Sequence, residues 1–142
     1  TATGRDAPRT GTDPDPRAAA AELIAPVRSL DPDCHVRSAV EPGTVPATVV
    51  DAVRGAAAEA LRNSVRHAGP DATRTVELRV DADGLRLTLR DDGRGFDPDA
   101  VDAARLGVRS SVLGRMRSLE GGRAEVTSAP GAGTEVVLEW VR

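Results

Sequence analysis

Apolar and polar residues alternate strictly in the middle of the chain. The apolar positions of this pattern are Val76, Leu78, Val80, Leu85, Leu87 and Leu89. Successive side chains of a strand point to opposite faces, so the alternation predicts two strands that each bury one face. The Asp83-Gly84 turn signal between them predicts that they form a hairpin.

Three more strands complete the predicted sheet. A weaker alternation over residues 34–40 predicts an edge strand. Residues 123–128 and 134–141 predict a second hairpin, joined by the Gly- and Pro-containing turn at 129–133.

Helical periodicity appears in three other stretches. Apolar residues recur at three-to-four spacing over residues 44–68, which predicts the main helix. A shorter stripe predicts a second helix over residues 110–119, stopped by Gly121-Gly122. Residues 17–33 favour helix up to Pro26, and predict either a short helix or the tail of a longer upstream one.

These elements predict an α+β fold: a two-layer sandwich with a mixed, mostly antiparallel sheet of about five strands and about three helices on one face. Residues 1–16 have hardly an apolar side chain and predict a flexible lead. Residues 34–142 are then the main domain, preceded by the helical segment 17–33. A chain of 142 residues fits one such domain.

Composition excludes several classes of function. The net charge is −3 and the only aromatic residues are Phe96 and Trp140, which argues against a nucleic-acid partner. The chain has no lysine and therefore no phosphate-binding loop of the kind that ends in Gly-Lys. The single cysteine, Cys34, predicts a reducing compartment or a simply buried thiol. No apolar stretch reaches membrane-spanning length, so we expect no membrane contact and a cytoplasmic location, as a soluble protein or as part of an anchored sensor.

Polar residues of the main helix form a first candidate site. Glu59, Asn63 and His67 are spaced by four and therefore lie along one stripe. On most helices such residues are simply solvated. A second element changes this interpretation: Asp91 ends a predicted strand and is followed by Gly93 and Gly95, which let a ligand approach the backbone.

Two further segments extend the candidate site. Gly131 and Gly133 precede Thr134, whose hydroxyl enters a strand directly after a flexible turn. Gly107 precedes the predicted helix at 110–119, whose N-terminus has N–H groups suited to phosphate. Each signal is weak alone, and their fixed order along the chain strengthens all of them.

The order of these motifs resembles the ATPase domain of the gyrase, chaperone, histidine kinase and MutL superfamily, which has the Bergerat-type sandwich. Over residues 34–142 the chain looks most like the catalytic ATP-binding domain of bacterial sensor histidine kinases of the nitrate-sensor subclass. The resemblance implies ATP and Mg²⁺ as ligands. It also implies a phosphoacceptor histidine on a dimerisation helix as the partner, and a response regulator further on.

The resemblance also implies roles for individual residues. Asn63 matches the Mg²⁺ ligand, and Glu59 matches the acidic residue that polarises a water or the incoming nucleophile. His67 matches a position that faces the phosphates, and Asp91 matches the residue that binds the adenine amine.

The remaining motif residues match positions that shape the pocket. Thr134 would complete the adenine pocket through its hydroxyl, and Gly107 would be the hinge of a lid. The other glycines would let the backbone approach the base and sugar: Gly93, Gly95, Gly131 and Gly133.

The chain departs from the family pattern in two ways. Arg105 and Ser110 stand where the family commonly has glycines, which predicts a stiffer or differently aimed lid. Neither His35 nor His67 is followed by an acidic residue, so neither matches the phosphoacceptor.

The sequence therefore predicts a domain that presents the γ-phosphate of ATP to a histidine outside this chain. Two alternatives stay open at this stage. One is a serine kinase of the anti-sigma-factor type with the same fold, and the other is a nucleotide-binding regulatory module without turnover.

Overall fold

The computed structural model describes residues 13–99 and 103–142, of which 103–108 are described as helical backbone only. The described residues form three helices and five strands: α1 Pro16–Leu30, β1 His35–Val40, α2 Ala47–His67, β2 Arg74–Asp81, β3 Gly84–Asp91, α3 Ala103–Arg117, β4 Gly122–Ser128 and β5 Thr134–Val141.

The five strands form one mixed sheet in the order β1-β2-β3-β5-β4. β1 lies at an edge and runs parallel to β2, while the other three pairings are antiparallel. The predicted α+β sandwich with a mostly antiparallel sheet is thus confirmed, including the edge position of the first strand. β1 and β2 are parallel because α2 carries the chain back between them.

One face of the sheet is buried under the helices. The inward side chains of the three central strands are the apolar positions of the sequence pattern, and they join those of the helices in one core. The largest of the fully buried residues are Leu23, Leu61, Leu87, Met116 and Leu138. Since alternation places all inward residues of a strand on one side, the sequence pattern fixed which face the helices cover.

The opposite face of the sheet is charged, and its charges pair across neighbouring strands. Arg86 and Arg123 both lie opposite Glu139, with nitrogen–oxygen distances of 3.6 and 2.7 Å. Arg90 pairs with Glu135 in the same way. Exposed pairs of this kind contribute about 0–1 kcal/mol each, so their main effect is on strand register and solubility.

α1 continues through Pro26 and ends at Leu30. A proline inside a helix removes one backbone hydrogen bond and costs about 3 kcal/mol in an isolated helix. Burial of one side of α1 offsets this cost, because Ala19, Leu23 and Val27 are at most 2% exposed within the core. Tertiary packing therefore carries the helix past the residue where sequence favours a stop.

Two aspartates at the start of the described chain cap helices. Asp15 accepts a hydrogen bond from the backbone N–H of Ala18 and is the N-cap of α1. Asp13 accepts one from the N–H of Ala47 at 3.0 Å and so caps α2, whose own N-cap residue, Pro46, has no side-chain acceptor. Both aspartates belong to the predicted lead at 1–16, and residues 1–12 lie outside the described part of the chain.

The helix predicted at residues 110–119 begins earlier, at Ala103, and ends at Arg117. Gly107 therefore lies inside α3, and the prediction that it precedes the helix is wrong. A glycine inside a helix costs only about 1 kcal/mol relative to alanine, which a packed helix tolerates. Val112 and Met116 anchor α3, since both are buried in the core.

None of the helices in the described ranges is both long and apolar enough to cross a lipid bilayer.

Candidate functional site

A cleft opens between α2, α3 and the end of the sheet where β3 finishes and β5 begins. The space between its walls is about 600 Å³, a figure that includes the solvent at its open mouth. The lining residues are Ala60, Asn63, Ser64, His67, Ala68, Leu89, Asp91, Gly95, Phe96, Arg109, Val112, Val126, Thr134 and Val136. An apolar floor with a few convergent polar groups is typical of a site for an organic ligand.

A row of polar residues crosses the sheet at this end. The strand register places Arg74 opposite Asp91, Asp91 opposite Thr134, and Thr134 opposite Ser128. By strand alternation each of them shares a face with the apolar core residues of its own strand. The row is therefore the last rung of the buried face, where the core gives way to the cleft.

Asp91 is held by donors on both carboxylate oxygens. Its Oδ1 accepts the N–H of Gly93 at 3.0 Å, and its Oδ2 accepts the hydroxyl of Ser64 at 2.7 Å. A carboxylate has about four acceptor positions, so this one can still accept a hydrogen bond from a ligand in the cleft. The site thus contains a negatively charged hydrogen-bond acceptor in a fixed orientation.

Behind Asp91 lies a buried arginine that sequence reasoning missed. Arg74 is 8% exposed, and its Nε and Nη2 donate to the Oγ and backbone oxygen of Ser64 at 2.8 and 3.1 Å. Its Nη1 pairs with Asp31 at 3.2 Å. The available signal was the alternation itself, because Arg74 is on the same face of β2 as Val76.

Two polar atoms near the cleft are buried without a hydrogen-bond partner among the described residues: Oδ1 of Asn63 and Nε of Arg109. A buried donor or acceptor left unpaired costs about 1–3 kcal/mol, so such atoms call for an explanation. One is an oxygen ligand suited to a hard cation and the other is part of a guanidinium suited to an anion. Arg109 is the second residue that sequence reasoning missed.

The side-chain oxygen of Asn63 is a type of ligand that suits Mg²⁺. Magnesium is commonly held by one or two protein oxygens, water and the phosphates of a substrate. Within the described ranges no group of three or more His, Cys, Asp or Glu residues could hold a metal ion. The Asn63 oxygen alone fits a metal whose other ligands come from outside the protein.

The other two residues of the predicted α2 stripe lie differently. His67, half-buried, lines the cleft one turn after Asn63. Glu59 is absent from the cleft lining and lies 3.7 Å from Arg62 in a surface ion pair. The stripe thus brings Asn63 and His67 into the cleft and leaves Glu59 outside it.

Gly133 and Gly131 both adopt left-handed backbone, with φ of 72° and 75°. A Cβ at Gly133 would lie 2.0 Å from the carbonyl oxygen of Asp91, whereas one at Gly131 would meet no atom within 4 Å. The Gly131 N–H also donates to the carbonyl of Arg94 at 2.7 Å. This turn is therefore pressed against the backbone that carries Asp91.

Gly93 and Gly95 make similar close approaches. A Cβ at Gly93 would lie 2.4 Å from the carbonyl oxygen of Ala68, and one at Gly95 would lie 2.0 Å from that of Ala129. Of the two, only Gly95 lines the cleft. The observed close contacts of both glycines are with the protein's own backbone, and their predicted contacts with a ligand stay a prediction.

Ser128 connects the two glycine segments and is a third residue that sequence reasoning missed. Its Oγ accepts the N–H of Phe96 at 2.9 Å, lies 2.9 Å from the carbonyl of Gly133, and lies 3.0 Å from Oγ1 of Thr134. When Ser128 donates its one proton to Gly133, Thr134 must donate to Ser128. The Thr134 oxygen then keeps acceptor capacity toward the cleft.

The buried Cys34 lies near the Asp31–Arg74 pair. Burial raises the pKa of its thiol, and the negative charge of Asp31 acts in the same direction. The thiolate form, which is the nucleophile, is thus disfavoured, and Cys34 does not line the cleft.

A one-sided α+β sandwich with a polar cleft between two helices and the end of the sheet is an architecture suited to a small-molecule ligand. The model of the histidine kinase-, DNA gyrase B- and HSP90-like ATPase family matches residues 48–142. The chain belongs to this family, and the resemblance drawn from its motifs is confirmed. The nitrate-sensor subclass stays a prediction.

Individual relatives agree with this assignment. Sensor histidine kinase LiaS of Bacillus subtilis is 38% identical over 81 residues, which are 57% of this chain and 22% of LiaS. The solved histidine kinase domain of a blue-light-activated kinase from Erythrobacter litoralis is 30% identical, with a TM-score of 0.56 over 87% of this chain and 61% of that one. The mycobacterial sensor kinase MprB shares the fold at 18% identity, with a TM-score of 0.63 over 92% and 97% of the two chains.

The contact between Gly133 and Asp91 generates a first prediction. Gly133→Ala is expected to lower the free energy of unfolding by more than the roughly 1–2 kcal/mol of left-handed strain, because its Cβ also meets the Asp91 carbonyl. Gly131→Ala is the matched control, with the same strain and open space around the Cβ. Urea unfolding of both variants measures the difference, and equal losses would contradict the close contact.

Proposed function

We infer that this domain binds ATP together with Mg²⁺ and presents the γ-phosphate to a histidine on a separate helix, as part of two-component signalling. The observation that carries the proposal is the cleft itself. It combines an oriented carboxylate, Asp91, with an unpaired buried oxygen, that of Asn63. Family membership supports the ATPase class.

The end of the cleft at Asp91 suits the adenine ring. The exocyclic amine of adenine is a donor, and Asp91 has acceptor capacity that its two protein donors leave open. Thr134 would add a hydroxyl beside it, directly or through water. Leu89, Val112 and Val136 supply the apolar surface that a purine ring requires.

The other end of the cleft suits the phosphates. Asn63 would hold Mg²⁺, which would supply positive charge against that of the phosphates. Arg109 would offer its guanidinium to a phosphate, which explains a buried Nε without a protein partner in the described structure. His67 would face the same group from one turn further along α2.

Glu59 would act where the acceptor helix docks. Its surface position outside the cleft lining suits a group that polarises an incoming imidazole rather than one that contacts the nucleotide. Phosphoryl transfer needs mainly positioning and charge neutralisation. One carboxylate and one metal ligand would therefore be enough for the catalytic contribution of the protein.

We also propose a lid movement about Gly107, which would take place within α3 rather than before it. Since Gly107 lies inside α3, opening or closing there would require the first turn of the helix to bend or unwind. Gly93, Gly95, Gly131 and Gly133 would keep the wall behind the base thin, which lets the ligand reach the sheet end. The cytoplasm supplies both ATP and Mg²⁺, and we place the domain there.

Asp91→Asn is expected to weaken ATP binding by about 1–3 kcal/mol, because the adenine amine would lose its charged acceptor. Asp83→Asn is the control, since Asp83 is an exposed aspartate that does not line the cleft. Calorimetric titration with ATP measures both. Unchanged affinity in a folded Asp91→Asn protein would remove Asp91 from the base site.

Asn63→Ala is expected to weaken nucleotide binding more in the presence of Mg²⁺ than in a chelator, because only the metal-linked part of the affinity is lost. The same variant titrated under both conditions is its own control. Equal losses under the two conditions would show that Asn63 acts structurally.

Transfer itself is tested by supplying an isolated dimerisation helix with its histidine, Mg²⁺ and γ-labelled ATP. We expect label on the histidine helix, and we expect Glu59→Gln to slow labelling while leaving ATP affinity unchanged. Label on a serine-bearing partner instead would favour the serine kinase alternative. ATP binding without transfer to either would favour a regulatory module.

A further inference from the structure

The polar network behind Asp91 forms a continuous relay of four side chains, Asp31, Arg74, Ser64 and Asp91. Three contacts connect them, of 3.2 Å between Asp31 and Arg74, 2.8 Å between Arg74 and Ser64, and 2.7 Å between Ser64 and Asp91. Only Ser64 and Asp91 line the cleft. Arg74 and Asp31 therefore act, if at all, through those two.

We propose that Arg74 is a positioning residue for base selection, which orients the Asp91 carboxylate through Ser64 and connects that orientation to the end of α1. This inference rests on the proposed function, because it assumes that Asp91 receives the base of a purine nucleotide. It adds the residues that decide how strictly an amine-bearing base is selected.

The direction of each hydrogen bond in the relay follows from chemistry. A guanidinium has only donors, so the Oγ of Ser64 must accept from the Nε of Arg74. A carboxylate has only acceptors, so the one hydroxyl proton of Ser64 goes to Oδ2 of Asp91. Arg74 thus directs the hydroxyl proton of Ser64 toward Asp91, and the resulting hydrogen bond holds one carboxylate oxygen of Asp91 in place.

Arg74 itself is fixed at three points. Nε and Nη2 hold the hydroxyl and the carbonyl of Ser64, and Nη1 holds Asp31. The side chains of Arg74 and Asp31 are only 9% and 14% exposed, so water offers little alternative. A lysine in this place keeps the charge but cannot reproduce the three-point contact, because its donors radiate from one nitrogen.

The relay reaches the end of another element. Asp31 is the C-cap residue of α1, and its backbone N–H closes the last turn of that helix on Val27. A shift of the α1 end therefore moves the carboxylate that holds Arg74. Base selection in the cleft then depends on how α1 is seated, although α1 contributes no residue to the cleft lining.

The test is the ratio of the affinities for adenosine and inosine triphosphate, measured calorimetrically on the whole chain with Mg²⁺. Inosine has a carbonyl where adenine has the amine, so a well-oriented Asp91 rejects it. A hydrogen bond to a charged group corresponds to about a ten- to hundredfold difference in affinity. Arg74→Lys and Ser64→Ala are expected to reduce the ratio about tenfold, and Asp31→Asn to reduce it less.

Two further variants separate positioning from general damage. Ser64→Thr keeps the hydroxyl and is expected to keep more of the selectivity than Ser64→Ala. Arg79→Lys is the matched control, because Arg79 lies on the charged face of the same strand and pairs with Asp81 at the surface. If Arg74 has only a structural role, its substitution would weaken the binding of both nucleotides equally and leave the ratio of their affinities unchanged.

The outcomes are distinguishable. Wild-type selectivity that persists in folded Ser64→Ala and Asp31→Asn proteins would overturn the relay and leave the proposed function standing. A wild-type chain that binds neither nucleotide would overturn the proposed function and the relay with it. Loss of selectivity in Asp31→Asn, a near-isosteric change away from the cleft, would support the relay most directly.

Discussion

The register of β3 between β2 and β5 is the constraint on which the site depends. It sets Arg74, Asp91 and Thr134 directly opposite one another and thereby ends three buried apolar stripes in polar side chains at one edge of the core. A slip by one residue would turn every inward side chain of a strand to the charged face. Charged pairs such as Arg86 with Glu139 oppose such a slip from the outer face. Fold and site are therefore specified by the same pairing.

Sequence predicted the elements whose pattern reports burial directly. The bounds of β2 and β5 are as predicted. In β2 the strict alternation of Val76, Leu78 and Val80 marks the inward stripe, and in β5 the Gly- and Pro-containing turn at 129–133 marks the start of the strand. The start of α3 was wrong by seven residues, since Gly107 reads as a helix boundary while its actual cost in a packed helix is only about 1 kcal/mol. The persistence of α1 through Pro26 has the same origin, in packing that no local pattern reports.

The candidate site was predictable where a motif residue faces the cleft, and less so where a residue acts behind it. Asn63, His67 and Asp91 line the cleft as their motifs indicated. Arg74 and Ser128 escaped notice because their types are ordinary at strand ends, and only the strand pairing shows what they contact. The glycine motifs were recognised for ligand approach. In the structure Gly93 and Gly95 instead lie close to the protein's own backbone.

The two ends of the cleft differ in how far their side chains are already held in place before a ligand binds. At one end, Asp91 is held by Ser64 and Gly93, and its backbone is packed against Gly133, so its orientation is set by folding. Preorganisation of this kind lowers the entropy lost on binding. At the other end, Asn63 and Arg109 hold buried polar atoms without partners in the described structure, which costs stability until a ligand pairs them. A ligand that spans both ends therefore gains little order at Asp91 and relieves a penalty on α2 and α3, so that the stability of α3 becomes coupled to occupancy of the cleft.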